Sequence, residues 1–156
     1  MAHTLLMEWL NIGQLTKEMV VARLSQLADP VDAAVEILEK TVLIALKDVE
    51  RLQPGHRQTV AAACQGTLIA LLLKEHNLKI AAVKILRMLS AVAQKTKTDP
   101  MELSLLALHA IADLRRFVSQ QELADIRAAI DAEFMGTGDA LKELLSKKQA
   151  ASPAAP

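Results

Sequence analysis

The chain has 156 residues, of which 52% are hydrophobic and only 2% aromatic, and its 18 lysines and arginines balance 18 aspartates and glutamates. A net charge of zero argues against a nucleic-acid partner, which needs a basic face to neutralise phosphates, and the few aromatic side chains offer no stacking platform for single strands. A single cysteine cannot form an internal disulfide. It is typical of a reducing compartment, so a cytoplasmic protein is expected.

The N-terminal segment is predicted to form two helical pieces. Glu8 interrupts its apolar run and no basic region precedes it, which disfavours a signal peptide. The first piece carries Trp9, and the second is predicted to follow a break at Gly13, with Thr16 as its N-cap. Trp9 could dock on a partner or at a lipid interface, because it lies in an apolar segment.

Asp-Pro dipeptides at 29–30 and 99–100 predict two helix starts. Aspartate accepts a hydrogen bond from an unpaired backbone N–H, and proline at the first helical position lacks one. Because the Asp-Pro start occurs twice, an internal duplication of a pair of helices is possible. Such a duplication would superpose Pro30 on Pro100. The first of these helices is predicted to run until QPGH at 53–56 ends it, along a heptad-spaced seam. The seam consists of Val31, Val35, Leu38, Val42, Ala45, Val49 and Leu52.

The next helix, predicted over 57–75, contains the uncharged stretch TVAAACQGTLIALLL at 59–73. Little of its circumference is polar, so we expect it to be buried nearly all round as the central helix of the core. Lipid, a sister subunit or an apolar ligand are the alternative surroundings. A transmembrane helix needs about 20 apolar residues. The uncharged window at 58–73 is shorter and contains two glutamines and Gly66, so no integral membrane span is expected.

Four further helices complete the prediction. One runs over 78–96, one follows Pro100, and one begins after the capping box SQQE at 119–122. A short last helix is predicted with Asp139 as its cap, followed by a disordered Ala/Pro tail at 150–156. The apolar stripe predicted for the helix after Pro100 consists of Met101, Leu105, Leu108, Ile111, Leu114 and Val118.

The fold class predicted from these elements is all-α. We expect an antiparallel bundle of about six to eight helices with short connections, in one domain over 1–149, with the apolar helix near 57–75 at its centre. No stretch of the sequence shows the alternation that is typical of a strand.

The sequence shows no catalytic, cofactor-binding or metal-binding motif. Cys64 is flanked by alanine and glutamine and lies within a helix, where nothing lowers the pKa of a thiol. The four histidines, His3, His56, His76 and His109, are not spaced as metal ligands. His109 and Asp113 are expected to form a hydrogen bond on a helix surface. We therefore expect a protein that is not an enzyme and has no cofactor.

Apolar side chains exceed what a single buried stripe needs, and this surplus indicates a surface for a partner. The expected function is a structural or protein–protein interaction module that acts as a homo-oligomer, most simply a dimer, with another protein as a further candidate partner. The alternative is a binder of an apolar small molecule or lipid, or a peripheral membrane-surface protein. The candidate interface residues are Trp9, Leu43, Ile44, Leu46, Leu103, Leu106 and Phe117.

Overall fold

The structure, a computed structural model, describes residues 12–21 and 29–151, with side-chain surroundings as far as residue 147. The described residues form seven α-helices, one short 3₁₀ helix and no strand, which confirms the all-α prediction. The helices are α1 over 12–21, α2 Pro30–Ala45, α3 Pro54–Leu73, α4 Leu78–Thr96, α5 Pro100–Asp113, the 3₁₀ helix Leu114–Arg116, α6 Gln120–Glu133 and α7 Thr137–Ala151.

Side-chain caps begin α2, α5 and α6 where the sequence predicted them. Asp29 Oδ1 accepts a hydrogen bond from the Asp32 N–H at 3.2 Å, and Asp99 Oδ1 accepts one from the Met101 N–H at 2.9 Å. Ser119 Oγ accepts from the Glu122 N–H at 3.1 Å. Each cap satisfies a backbone donor that the helix itself leaves unpaired.

Helix α2 is shorter than predicted and ends at Ala45, so the prediction that it continues through Val49 and Leu52 is wrong. Residues 46–53 form the connection, in which Asp48 adopts the left-handed conformation with φ 58°. Leu52 still packs against the core from this connection, so it is an apolar contact made outside the helix. Pro54 begins α3 instead of ending α2, and His56 Nδ1 accepts a hydrogen bond from the Gln53 N–H at 3.0 Å.

Helix α1 passes through Gly13 without a break, so the predicted helix boundary there is wrong. Thr16 is not a cap. Its hydroxyl donates to the Ile12 carbonyl oxygen at 2.8 Å, one turn back within the same helix. Gly13 lies against α3, where a Cβ atom on Gly66 would stand 2.6 Å from the Gly13 carbonyl oxygen. The two glycines therefore allow a close crossing of α1 and α3.

The start of α7 is capped by Asp131, and the prediction that Asp139 caps it is wrong. Asp131 Oδ1 accepts hydrogen bonds from the Gly136 N–H at 3.1 Å and the Gly138 N–H at 3.3 Å. Asp139 lies in the first turn of the helix. Helix α7 also continues to Ala151, two residues into the segment predicted as a tail, and 152–156 lie outside the described residues.

The helices form a bundle of two layers in which alternate helices pack side by side. The first layer consists of α2, α4 and α6, and the second of α3, α5 and α7, with α1 against α3. Consecutive helices form the hairpins α2–α3, α4–α5 and α6–α7, which stack as helix pairs do in α-solenoids. Since α2 and α5 lie in different layers, the duplication that would superpose Pro30 on Pro100 does not match the fold.

An ion pair joins neighbouring hairpins at each contact between the helices of the first layer. Asp32 on α2 pairs with Lys84 on α4, and Arg87 Nη2 on α4 lies 2.8 Å from Glu133 Oε2 on α6. In the second layer, Arg57 Nη2 lies 3.0 Å from Glu102 Oε1. Arg57 and Glu102 occupy the first turns of α3 and α5, so these two helices begin side by side and, since they pack together, run in the same direction. Exposed pairs of this kind each stabilise a fold by at most about 1 kcal/mol, and they favour one register between the hairpins.

Helix α3 contacts α2, α4 and α5 and meets α1 at Gly66, which confirms it as the central apolar helix. Its inner face is fully buried, but the nearly all-round burial predicted for it is wrong. Leu73 is 61% exposed, and Gln65 and Ile69 are partly exposed. In a layered bundle a helix contacts the opposite layer and the helices on its flanks, and its remaining side faces outward.

Candidate functional site

The side chains that could serve as nucleophile, base or metal ligand are either buried or far apart from one another. Cys64 is 0% exposed, and burial raises the pKa of its thiol to about 12. His56 accepts its backbone hydrogen bond at the start of α3, while His109 lies in the middle of α5. Within residues 12–21 and 29–151, no three histidine, cysteine, aspartate or glutamate side chains converge as metal ligands. His3 lies outside the described residues.

The predicted interface residues separate into exposed and buried groups. Ile44 and Phe117 are 77% and 57% exposed, and Leu43 and Leu106 are partly buried against the core. Leu46 and Leu103 are only 1% and 0% exposed, so their assignment to a partner surface is wrong. Leu46 points inward from the end of α2, and Leu103 packs in the core from α5. Trp9 lies outside the described residues.

The first two turns of α5 face the opposite way from the predicted stripe. Met101 and Leu105, predicted to be core residues, are 70% and 41% exposed, whereas Leu103 is buried. Leucine or methionine occurs on both faces of these turns, so hydrophobic spacing alone does not distinguish them. Two buried alanines, Ala107 and Ala110, continue the face of Leu103 that packs on the neighbouring helices. Their small side chains allow close helix packing, and this decides the orientation.

An uncharged surface therefore covers part of the second layer. Helix α3 carries no charged side chain between Arg57 and Lys74, and α5 carries none between Glu102 and Asp113 apart from the titratable His109. Met101 and Leu105 stand one turn apart on the exposed side of α5. We call these two side chains the α5 apolar pair. On α1, Leu15 and Met19 are also one turn apart and are 56% and 47% exposed.

A cavity of about 520 Å³ lies where the turn between α3 and α4 meets the first half of α6. Its apolar lining comes from three parts of the chain: Leu72 and Leu78 beside the turn, Phe117 after the 3₁₀ helix, and Ile126 on α6. Among these lining residues, Phe117 is the only one that was predicted from the sequence as an interface residue. We call this space the Phe117 cavity.

Backbone hydrogen bonds hold the turn that forms one side of the Phe117 cavity. Glu75 adopts the left-handed conformation with φ 57°, and its N–H donates to the Leu72 carbonyl oxygen at 3.0 Å. The His76 N–H donates to the Leu71 carbonyl oxygen, also at 3.0 Å. Asn77 then caps α4, its Oδ1 accepting from the Lys79 N–H at 3.0 Å. This turn thus has a defined shape and places Glu75 and His76 at the cavity.

Negative charge predominates at the Phe117 cavity. Glu75, Glu122 and Asp125 line it together with Lys79 and His76, so three carboxylates face one ammonium group. Within the described part of the chain, none of the three carboxylates forms a salt bridge. Asp125 accepts a hydrogen bond from Gln121 Nε2 at 3.0 Å on its own helix.

In a neighbouring groove of about 520 Å³ between α4 and α6, by contrast, charged side chains form salt bridges. Two of its three basic residues, Lys84 and Arg87, already pair with Asp32 and Glu133 on adjacent helices, and the third, Lys79, also lines the Phe117 cavity. These two paired side chains therefore connect the hairpins, whereas the carboxylates of the Phe117 cavity have no such partner among the described residues.

No helix of the described residues is both long enough and apolar enough to cross a bilayer. No protein-family model, curated protein or solved structure matches this chain.

Proposed function

We propose that this protein is a non-enzymatic protein–protein interaction module that acts as a homo-oligomer through the outer face of its second layer. The α5 apolar pair carries the proposal. Met101 and Leu105 are exposed on adjacent turns of α5, and the one charged residue between them, Glu102, already pairs with Arg57. Contiguous exposed apolar side chains are uncommon on monomers and mark interaction surfaces.

A second copy of the chain is a suitable partner for this face. Two copies of this face can meet without burying an unpaired charge, which would cost several kcal/mol, because Glu102 is paired with Arg57 of the same chain. The zero net charge of the chain also adds no long-range repulsion between copies. A twofold dimer is the commonest symmetric assembly, and it would cover the same patch on both subunits.

Native mass spectrometry and sedimentation of the purified chain test this proposal. We expect a multiple of 16.9 kDa for the wild type and a folded monomer for the double variant Met101→Glu/Leu105→Glu. Met135→Glu is the matched control, because Met135 is 97% exposed in the turn between α6 and α7, away from α5. A monomeric wild type, or an unchanged mass for the double variant, would contradict the proposal.

The same spectra examine the alternative of an apolar ligand. The Phe117 cavity has a volume within the range of small-molecule sites, and part of its lining is apolar. A monomer that carries a bound organic mass would favour this second function over self-association.

A further inference from the structure

We propose that the Phe117 cavity binds a basic segment of a partner protein, with an arginine or lysine side chain entering beside Phe117. This inference deepens the proposed interaction function, and it concerns a surface other than the α5 apolar pair. It rests on three features that coincide at the cavity, namely apolar walls, uncompensated carboxylates and an exposed aromatic ring.

The walls suit the stem of a long basic side chain. Leu72, Leu78 and Ile126 supply apolar surface inside a space of about 520 Å³. Arginine and lysine bury their methylene groups against such surface while the charged end remains at polar groups. A free inorganic cation has no apolar part and would gain nothing from these walls.

The carboxylates suit the charged end of that side chain. Glu75 projects from the turn after α3, and Glu122 and Asp125 lie one turn apart on α6, so negative groups border the cavity from two elements. Three carboxylates against Lys79 leave two net negative charges when His76 is neutral. An incoming guanidinium or ammonium group offsets this charge through charge-assisted hydrogen bonds, and a guanidinium can bind a carboxylate with two parallel bonds.

Phe117 suits the same occupant. Its side chain is 57% exposed although the ring belongs to the cavity lining. A cation over the face of an aromatic ring is attracted by the ring quadrupole, most often when the cation is arginine. A ligand of this kind would explain an exposed phenylalanine next to acidic side chains, a combination that a buried core does not require.

The charge of the cavity disfavours two other occupants. Nucleic acid and anionic lipid headgroups would be repelled by the carboxylates. A tightly held metal ion is disfavoured because no three potential ligands converge among the described residues. A basic protein segment remains as the occupant with matching charge and apolar surface.

Selection from a phage-displayed library of random dodecapeptides tests the proposal on the whole chain. We expect enriched peptides with two or more arginines or lysines. In fluorescence anisotropy, the best peptide should bind about tenfold or more weakly to Glu75→Gln/Glu122→Gln/Asp125→Asn, because each lost charged hydrogen bond weakens binding. Phe117→Ala should also weaken binding. The matched control, Glu18→Gln/Glu36→Gln/Glu50→Gln, removes three exposed carboxylates elsewhere and should leave the affinity unchanged.

Several results would overturn the proposal: no enrichment, enrichment of neutral or acidic peptides, or equal affinity for the cavity variant and the wild type. Binding of spermine as tight as that of the best peptide would also overturn it, since the apolar walls would then contribute nothing. Circular dichroism of each variant confirms that it is folded. Because this experiment reads peptide affinity and the oligomer experiment reads mass, either proposal can fail while the other stands.

Discussion

The Gly13 carbonyl oxygen on α1 lies 2.6 Å from the position that a Cβ atom on Gly66 of α3 would occupy. Real Cβ atoms do not approach an oxygen this closely, so the two helices cross at a distance that only glycine at 66 allows. The same crossing brings Ala62 next to Gly13. Small residues thus allow α1 to pack closely against the central helix α3.

Gly66→Ala should therefore destabilise the fold even though alanine is the better helix former. The added methyl group forces α1 away from α3, and we expect a loss of about 1–3 kcal/mol in the free energy of unfolding. Urea unfolding followed by circular dichroism measures it.

Gly13→Ala is the matched comparison. A Cβ at Gly13 would meet the Ala62 Cβ at 3.4 Å, an ordinary van der Waals contact. Here the helix propensity of alanine should dominate, with a gain of up to about 1 kcal/mol. Equal effects of the two substitutions would contradict the close crossing described above.

Leu103→Ala and Leu105→Ala test the orientation of α5. Leu103 is 0% exposed and Leu105 is 41% exposed, although two positions separate them. Truncating the buried leucine leaves a cavity and should cost about 2–5 kcal/mol. Truncating the exposed one should change the stability of the monomer by no more than about 0.5 kcal/mol.

Unfolding at two protein concentrations separates packing from assembly in this pair. The loss caused by Leu103→Ala should be the same at both concentrations. Any loss caused by Leu105→Ala should appear only where the chain associates. If, at the lower protein concentration, Leu105→Ala lowered the free energy of unfolding more than Leu103→Ala does, the buried and exposed faces of α5 would be the reverse of those described.

The thiol of Cys64 should report unfolding. Burial raises its pKa from an ordinary value of 9.0 to about 12, so the thiol stays protonated in the folded chain at pH 8 and lacks the reactive thiolate. A disulfide reagent should label Cys64 only as fast as the protein unfolds, with a rate that rises with added urea. Rapid labelling of the native protein would contradict this burial.

The same thiol should make the folded state less stable at alkaline pH. Between pH 9 and 12 the unfolded chain loses the Cys64 proton while the folded chain keeps it, so stability should fall as pH rises through this window. Other groups titrate there as well, so the comparison is with Cys64→Ala. The variant should lose less stability than the wild type between pH 9 and pH 11, and parallel curves would exclude a contribution from this thiol.

Helix starts could be predicted because their causes are local. The caps Asp29, Asp99 and Ser119 bond to backbone groups two or three residues away, so a short window of sequence contains donor and acceptor. The cap of α7 could not be predicted in this way. Asp131 lies seven positions before Gly138, on the preceding helix, and reaches it only because α6 and α7 form a hairpin.

The candidate site was harder to predict than the fold. Phe117 could be identified as a surplus apolar residue, but its neighbours Leu72, Glu75 and Asp125 belong to separate elements. No spacing in the sequence relates these positions, because the stacking of α3, α4 and α6 brings them together.

The sequence by itself determined that this chain is all-helical, where most of its helices begin, and that the helix near 57–75 is central. Capping, proline placement and apolar spacing act within a turn or two, so they can be recognised without a partner. Only the tertiary structure decided which face of α5 is buried, why Gly13 does not break α1, and which carboxylates surround Phe117. These features depend on the shapes and distances of neighbouring helices, which arise only when the two layers pack.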